Sequence, residues 1–130
     1  MTGRAWILAA GVALVVTLLP QAVLAQGHGW DCSDYDVLPQ QGLNACVGDD
    51  YRAADAELNA VYQRVMGSVW PEMADRIRAA QRLWIPYRDA ACEAEAELMR
   101  GGSAEPMLRL SCLARLTRAR TAELLFFEGM

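Results

Sequence analysis

Between Tyr51 and Phe127 the apolar residues return every three or four positions, and no stretch alternates well enough with period two to be a strand. That spacing lines side chains along one side of a 3.6-residue helix, so it points to an all-helical chain. Tyr51, Ala54, Leu58, Val61 and Val65 mark a first helix, opened by Asp49 and Asp50, whose carboxylates suit the positive end of a helix dipole. Gly67-Ser68 and Pro71 punctuate the chain, and Pro71 fits a first helical turn because its missing N–H would be unpaired there anyway. Ile77, Ala80, Trp84, Tyr87, Ala91, Ala94 and Leu98 mark a second helix, which Gly101-Gly102-Ser103 ends. Pro106 starts a third, carrying Leu110, Leu113, Thr117, Arg120, Leu124 and Phe127. Upstream, Gln26 to Asn44 is rich in Gly, Pro and Asp without periodicity and reads as an irregular arm. The expected fold is a small antiparallel three-helix bundle with an irregular N-terminal arm, since short turns between amphipathic helices make successive helices antiparallel.

The first 25 residues read differently. Arg4 precedes fifteen uncharged, mostly apolar residues, Ala5 to Leu19; Pro20 breaks the run, and Val23-Leu24-Ala25 offers small residues where a signal peptidase reads. This is the pattern of a secretory signal cleaved after Ala25, and the apolar run falls short of the ~18 residues of a membrane span. No cysteine follows the cleavage site to take a lipid. Residues 26–130 are then one exported domain, periplasmic or secreted. Cleavage removes one of the 12 basic residues and none of the 16 acidic ones, leaving a net charge of −5. Such a surface disfavours nucleic acid and favours cationic partners.

Four cysteines remain: Cys32, Cys46, Cys92 and Cys112. An even number in a short exported chain reads as two disulfides. Cys92 and Cys112 each lie about nine residues from the Gly-Gly-Ser turn, ~13 Å along their helices, so they face each other across a hairpin. Cys32 and Cys46 pair by elimination and tie the arm to the first helix. The wide cysteine gaps and the single histidine, His28, argue against a metal centre and against a thiol nucleophile, and no cofactor is implied.

The segment AAQRLWIPYRDAAC, Ala79 to Cys92, concentrates polar and aromatic groups around Pro86. On the second helix Trp84 and Tyr87 fall on the apolar stripe, Gln81 and Arg88 flank it, and Arg82 and Asp89 point away. Pro86 frees the carbonyl of Arg82 and should bend the helix. Asp55 and Asn59 on the first helix, with Thr117 and Arg120 on the third, complete a polar set. Its expected role is structural: Asp55 compensates Arg88 or Arg120, and Asn59, Gln81 and Thr117 supply neutral hydrogen bonds. Glu93, Glu95 and Glu97 spread around their helix rather than facing each other as glycosidase carboxylates do. With no histidine–nucleophile pair, a non-catalytic protein is expected.

The order Cys46, Ala54-Asp55-x-x-Leu58-Asn59-x-x-Tyr62, Ala80-Gln81-Arg82-x-Trp84-Ile85-x-Tyr87-Arg88-Asp89-x-x-Cys92, Gly102-Ser103-x-x-Pro106-Met107 and Cys112-Leu113-x-x-Leu116-Thr117-x-x-Arg120-x-x-Glu123-Leu124 resembles the LprI-like family, over roughly residues 32–125. These are small exported bacterial domains named for a mycobacterial lysozyme inhibitor. The chain departs from the family pattern at Pro86, where a small or apolar helix former is usual, and in lacking a lipid-anchor cysteine. The resemblance implies a lysozyme inhibitor and transfers no catalytic residue. Asp31, Asp34, Asp36, Asp49 and Asp50, five carboxylates with no Arg or Lys among them, are the expected contact for a cationic lysozyme. A non-catalytic envelope scaffold or protein-interaction module is the alternative.

Overall fold

The computed structural model describes residues 27–129, so the expected signal segment lies outside the described residues. Three helices, α1 (Gln40–Ser68), α2 (Pro71–Ala96) and α3 (Glu105–Leu125), follow one another up, down and up, with a short 3₁₀ turn at Tyr35–Val37 and another at Glu97–Met99. The antiparallel three-helix bundle is therefore the observed fold, with no strand among the described residues. Two disulfides brace it, Cys32–Cys46 and Cys92–Cys112, with Cα–Cα separations of 5.6 and 5.4 Å.

The arm is shorter than its composition implies. The helix expected to open at Asp49 begins at Gln40, so Asp49 and Asp50 sit in its third turn rather than at its dipole end. Gly42, Asn44 and Gly48 are weak helix formers, and tertiary contacts override them. Gln40 Nε2 donates to Asn44 Oδ1 at 2.9 Å, and Asn44 Nδ2 donates to the carbonyl of Ser103 at 3.0 Å. Trp30 lies on Gly42 so closely that a Cβ there would stand 3.1 Å from the indole. A side chain larger than hydrogen at position 42 would lift the arm.

α3 is the central element, packing along both α1 and α2. Small residues allow this approach: Ala54 and Ala114 are both buried. The interior changes character along its length. At the end near the α1–α2 turn, Leu58, Val61, Val65, Ile77 and Leu124 form the apolar core, flanked by Tyr62, Met66, Met73, Trp84 and Phe127. Towards the opposite end lie the buried cystine of Cys92 and Cys112 and the buried Cys46 and Ala96. Between these zones the buried polar groups are Arg88, Thr117 and Thr121.

The stripes of α1 and α3 are as expected; that of α2 is turned. Its buried residues are Ala74, Ile77, Arg88, Cys92 and Ala96, with Gln81 and Trp84 half-buried. Ala80, Tyr87, Ala94 and Leu98, read as core, are exposed. Arg88, read as flanking, is at the centre of the packed face. Pro86 does not interrupt α2, and its exposed position, like that of Arg82, leaves the freed carbonyl on the solvent side. The glycine stop is also displaced: α2 yields first to the 3₁₀ turn at Glu97–Met99, and Gly101 then takes the left-handed conformation, φ +71°. Among the described residues no helix is long and apolar enough to cross a membrane.

Candidate functional site

Two groups of polar residues come together in the fold. One is the arm. Asp31 accepts a hydrogen bond from the Ser33 amide at 3.0 Å, and Asp34 accepts from the Asp36 amide at 3.1 Å, capping the turn at Tyr35–Val37. Each side chain thus folds its own backbone, as Asp does in turns. The Ser33 amide, and then its hydroxyl, hold Asp31 below the usual carboxylate range. Asp31, Asp34 and Asp36 are exposed, and so are the large apolar groups interleaved with them, Trp30, Tyr35 and Val37. The Cys32–Cys46 bridge pins this mixture of carboxylate and aromatic surface against α1.

Asp49 and Asp50 are placed differently. Asp49 is engaged by His28 at 2.7 Å and by Arg52, and the His28 hydrogen bond is the first cause of its lowered pKa. Asp50 receives both terminal nitrogens of Arg118, at 2.9 and 2.5 Å, and this contact lowers its pKa. Their charge is therefore largely answered within the molecule, unlike that of the arm. The structure brings His28 close to the disulfide as well, its Nε2 4.0 Å from Cys32 Sγ. Both sulfurs are committed to each other, so this trio offers no thiolate to a metal.

The second group spans the space between α1, α2 and α3. The Arg88 side chain is only 10% exposed. It lies 5.1 Å from the Trp84 ring centroid and 5.7 Å from that of Tyr51, an arrangement that suits a guanidinium. Burial raises the pKa of the Tyr51 phenol, so the ring contributes a neutral face. The nearest carboxylate to Arg88 is Asp89, at 2.8 Å; Asp55 stands at 3.6 Å and Thr117 Oγ1 at 3.4 Å. Asp89, expected to point away, turns back onto its neighbour. Asn59 donates to Asp55 at 3.2 Å. Arg120 pairs instead with Gln81 Oε1 at 2.9 Å and Glu123 at 2.7 Å. Glu93 and Glu95 meet Arg109 and Arg115 of α3 at 3.1 and 2.6 Å, and Glu97 pairs with Arg100.

Because two carboxylates share Arg88, removing one is milder than uncovering a lone buried charge. Asp55→Asn is expected to cost about 1 kcal/mol, and the pair Asp55→Asn with Asp89→Asn roughly 2–3 kcal/mol, as the buried guanidinium loses its compensation. Thermal unfolding of both variants checks this. A double variant as stable as the parent would remove the structural role of the cluster.

Sequence reasoning missed the exposed aromatics of the arm and the partners of Asp49 and Asp50. The first had a signal, the alternation of Trp30-Asp31 with Asp34-Tyr35-Asp36-Val37. The second had one only for Asp49, whose partner Arg52 lies three residues on along the same helix; Asp50 had none, since Arg118 is 68 residues away.

In these two groups the one histidine is engaged by Asp49 and Trp30, and the buried arginine is enclosed by its own partners. The bundle does share its pattern with known sequences. An uncharacterized protein of Rhizobium meliloti (strain 1021) is 48% identical over 98 residues, covering 65% of this chain and 70% of its own. No solved structure matches. The model of the family described as "Lysozyme inhibitor LprI" matches residues 32–124, from the first cysteine of the arm to the buried leucine near the end of α3, and with all four cysteines inside that match the chain belongs to the LprI family.

Proposed function

We propose that the mature chain, residues 26–130, acts in the periplasm or after secretion as an inhibitor that binds a cationic lysozyme through its arm. The family description supports the activity, and the disulfides suit a compartment outside the cytoplasm. One observation carries the choice of surface: exposed Asp31, Asp34 and Asp36 alternate with exposed Trp30, Tyr35 and Val37 on a covalently tethered segment. Carboxylates steer a basic partner and fix its orientation, whereas aromatic anchors supply the energy at interface centres. The tether lowers the ordering entropy that binding would otherwise cost. Asp49 and Asp50 are already engaged by His28, Arg52 and Arg118, so their charge adds less to this surface than that of the arm.

The test is lysozyme clearance of cell walls with and without the mature protein. The parent should inhibit. Asp31→Asn with Asp34→Asn and Asp36→Asn should lose at least tenfold in inhibition, about 1.4 kcal/mol or more, while keeping the amide-accepting oxygens that fold the turns. A parent without inhibition would sink the function; a fully active triple variant would move it off the arm. The alternative, a non-catalytic envelope scaffold, draws on the exposed apolar residues of α2. Salt separates the two readings. An arm–lysozyme complex weakens as ionic strength rises, and an apolar helix-face complex does not.

A further inference from the structure

The two cystines stand in different surroundings. Cys92 and Cys112 are 0 and 1% exposed, closed off between α2 and α3. In the other bridge Cys46 is buried, but Cys32 is partly open to solvent. The chain's one histidine stands beside that open bridge. His28 Nε2 is 4.0 Å from Cys32 Sγ, and Nε2 and both sulfurs lie within 4.8 Å of one another. The ring is held at both nitrogens. Nδ1 accepts the Trp30 amide at 3.1 Å, which leaves the proton on Nε2, and Nε2 donates to Asp49 Oδ2 at 2.7 Å. A fixed N–H donor is therefore stationed next to one disulfide and not the other.

We propose that Cys32–Cys46 is a site of thiol–disulfide exchange with a small dithiol, in which His28 stabilises the departing thiolate. A thiolate of the dithiol attacks Cys32 Sγ, the sulfur that solvent reaches. A bond forms between these two sulfurs as the Cys32–Cys46 bond breaks, and the electron pair leaves on Cys46 Sγ. The Nε2–H, shared with Asp49, donates a hydrogen bond to that thiolate, which then takes a proton from water. Such charge-assisted bonds are the stronger kind, and a stabilised leaving thiolate departs faster. Arg52, paired with Asp49, offsets the carboxylate charge nearby. The second thiolate of the reagent then attacks the reagent's own sulfur in the mixed disulfide, and Cys32 leaves as a thiolate. The protein gains two electrons, and the dithiol ends as a cyclic disulfide. Asp49 is a positioning residue, acting through the imidazole.

The exchange works as a latch. Cys32–Cys46 is the covalent tie between the arm and α1; once it opens, the His28–Asp49 contact and the packing of Trp30 on Gly42 hold the arm alone. The three helices keep their own sealed cystine. This chemistry does not rest on the lysozyme reading. Where the arm is the inhibitory surface, reduction disarms it.

The oxidised mature chain is treated with dithiothreitol, quenched with iodoacetamide over time and mapped by peptide mass. Cys32 and Cys46 should be alkylated about tenfold or more sooner than Cys92 and Cys112, with the helical circular dichroism retained. Reduced glutathione, a monothiol, should leave its mixed disulfide on Cys32. His28→Ala should slow the opening about tenfold, the factor expected for one hydrogen bond to a charged group. His28→Gln, which keeps an N–H donor near the place of Nε2, should restore most of the rate. A histidine that only fastened the arm would give the opposite sign, since its loss would uncover the sulfurs and speed reduction. The proposal is overturned by a His28→Ala rate equal to or above that of the parent, or by a His28→Gln rate no better than that of His28→Ala. It is equally overturned by a glutathione adduct on Cys46, by both bridges opening together, or by loss of the helical signal as the first bridge opens.

Discussion

Replacing Cys92 and Cys112 together by alanine is expected to lower the unfolding free energy by about 3 kcal/mol. The bridge closes a 20-residue separation, and in the loop-entropy description that constraint on the unfolded chain has about this value. For a domain near 100 residues each kcal/mol moves Tm by roughly 4–8 °C, so the midpoint should drop by about 12–24 °C. The cystine is almost fully buried between α2 and α3, which leaves no way to lose it locally. Cys32→Ala with Cys46→Ala should behave differently. That bridge holds an arm with exposed carboxylates and aromatics, so its loss should loosen the arm before it weakens the bundle. Paired thermal melts of the two variants decide this. Equal losses would mean that the arm and the bundle unfold as one unit.

Leu124→Ala should cost about 2–5 kcal/mol, the range for emptying a buried leucine site. Leu124 has no exposed surface and packs in the cluster of Leu58, Val61, Val65 and Ile77, where all three helices meet. With total stability in the usual range of about 5–15 kcal/mol, a loss of this size removes a large fraction of it. Trp84→Ala should cost less than so large a side chain would suggest, because the indole is only half-buried. Urea denaturation of the two variants gives the comparison. A Leu124→Ala midpoint near that of the parent would place the core elsewhere.

The helical class and the pairing of helices were legible in the sequence because both follow from local periodicity and the short breaks between helices. The stripes of α1 and α3 were also legible, since each has one dominant apolar face. α2 was misread for a definite reason. Its solvent face, with Ala80, Leu83, Tyr87, Ala91, Ala94 and Leu98, is more uniformly apolar than its packed face, which runs Ile77, Gln81, Trp84, Arg88 and Cys92. Apolar content alone chooses the wrong one. Burial of Arg88 becomes favourable only when Asp89 turns back, Asp55 approaches from another helix and two rings enclose the guanidinium. Two of these four groups, Asp55 and Tyr51, come from another helix, and spacing does not encode the rotamers of any of them. The early start of α1 was hidden in the same way, because Gly42 reads as a breaker until Trp30 is seen to need its bare backbone. At the arm, the carboxylates were legible as a charge cluster. Which of them are free was not, because Arg118 comes from the far end of the chain.

The position of the second cystine has a consequence for the life of the molecule among proteases. The exposed link from Arg100 to Ser103 lies between Cys92 and Cys112, and Arg100-Gly101 is a natural cut site for a trypsin-like enzyme. A single cut there separates α3 from the rest of the chain but not from the molecule. The two pieces stay joined through sulfur, and the tether keeps their mutual concentration on the order of millimolar. Each unfolding excursion of such a nicked chain thus ends with its own α3 at hand, and degradation needs a second cut or a reductant.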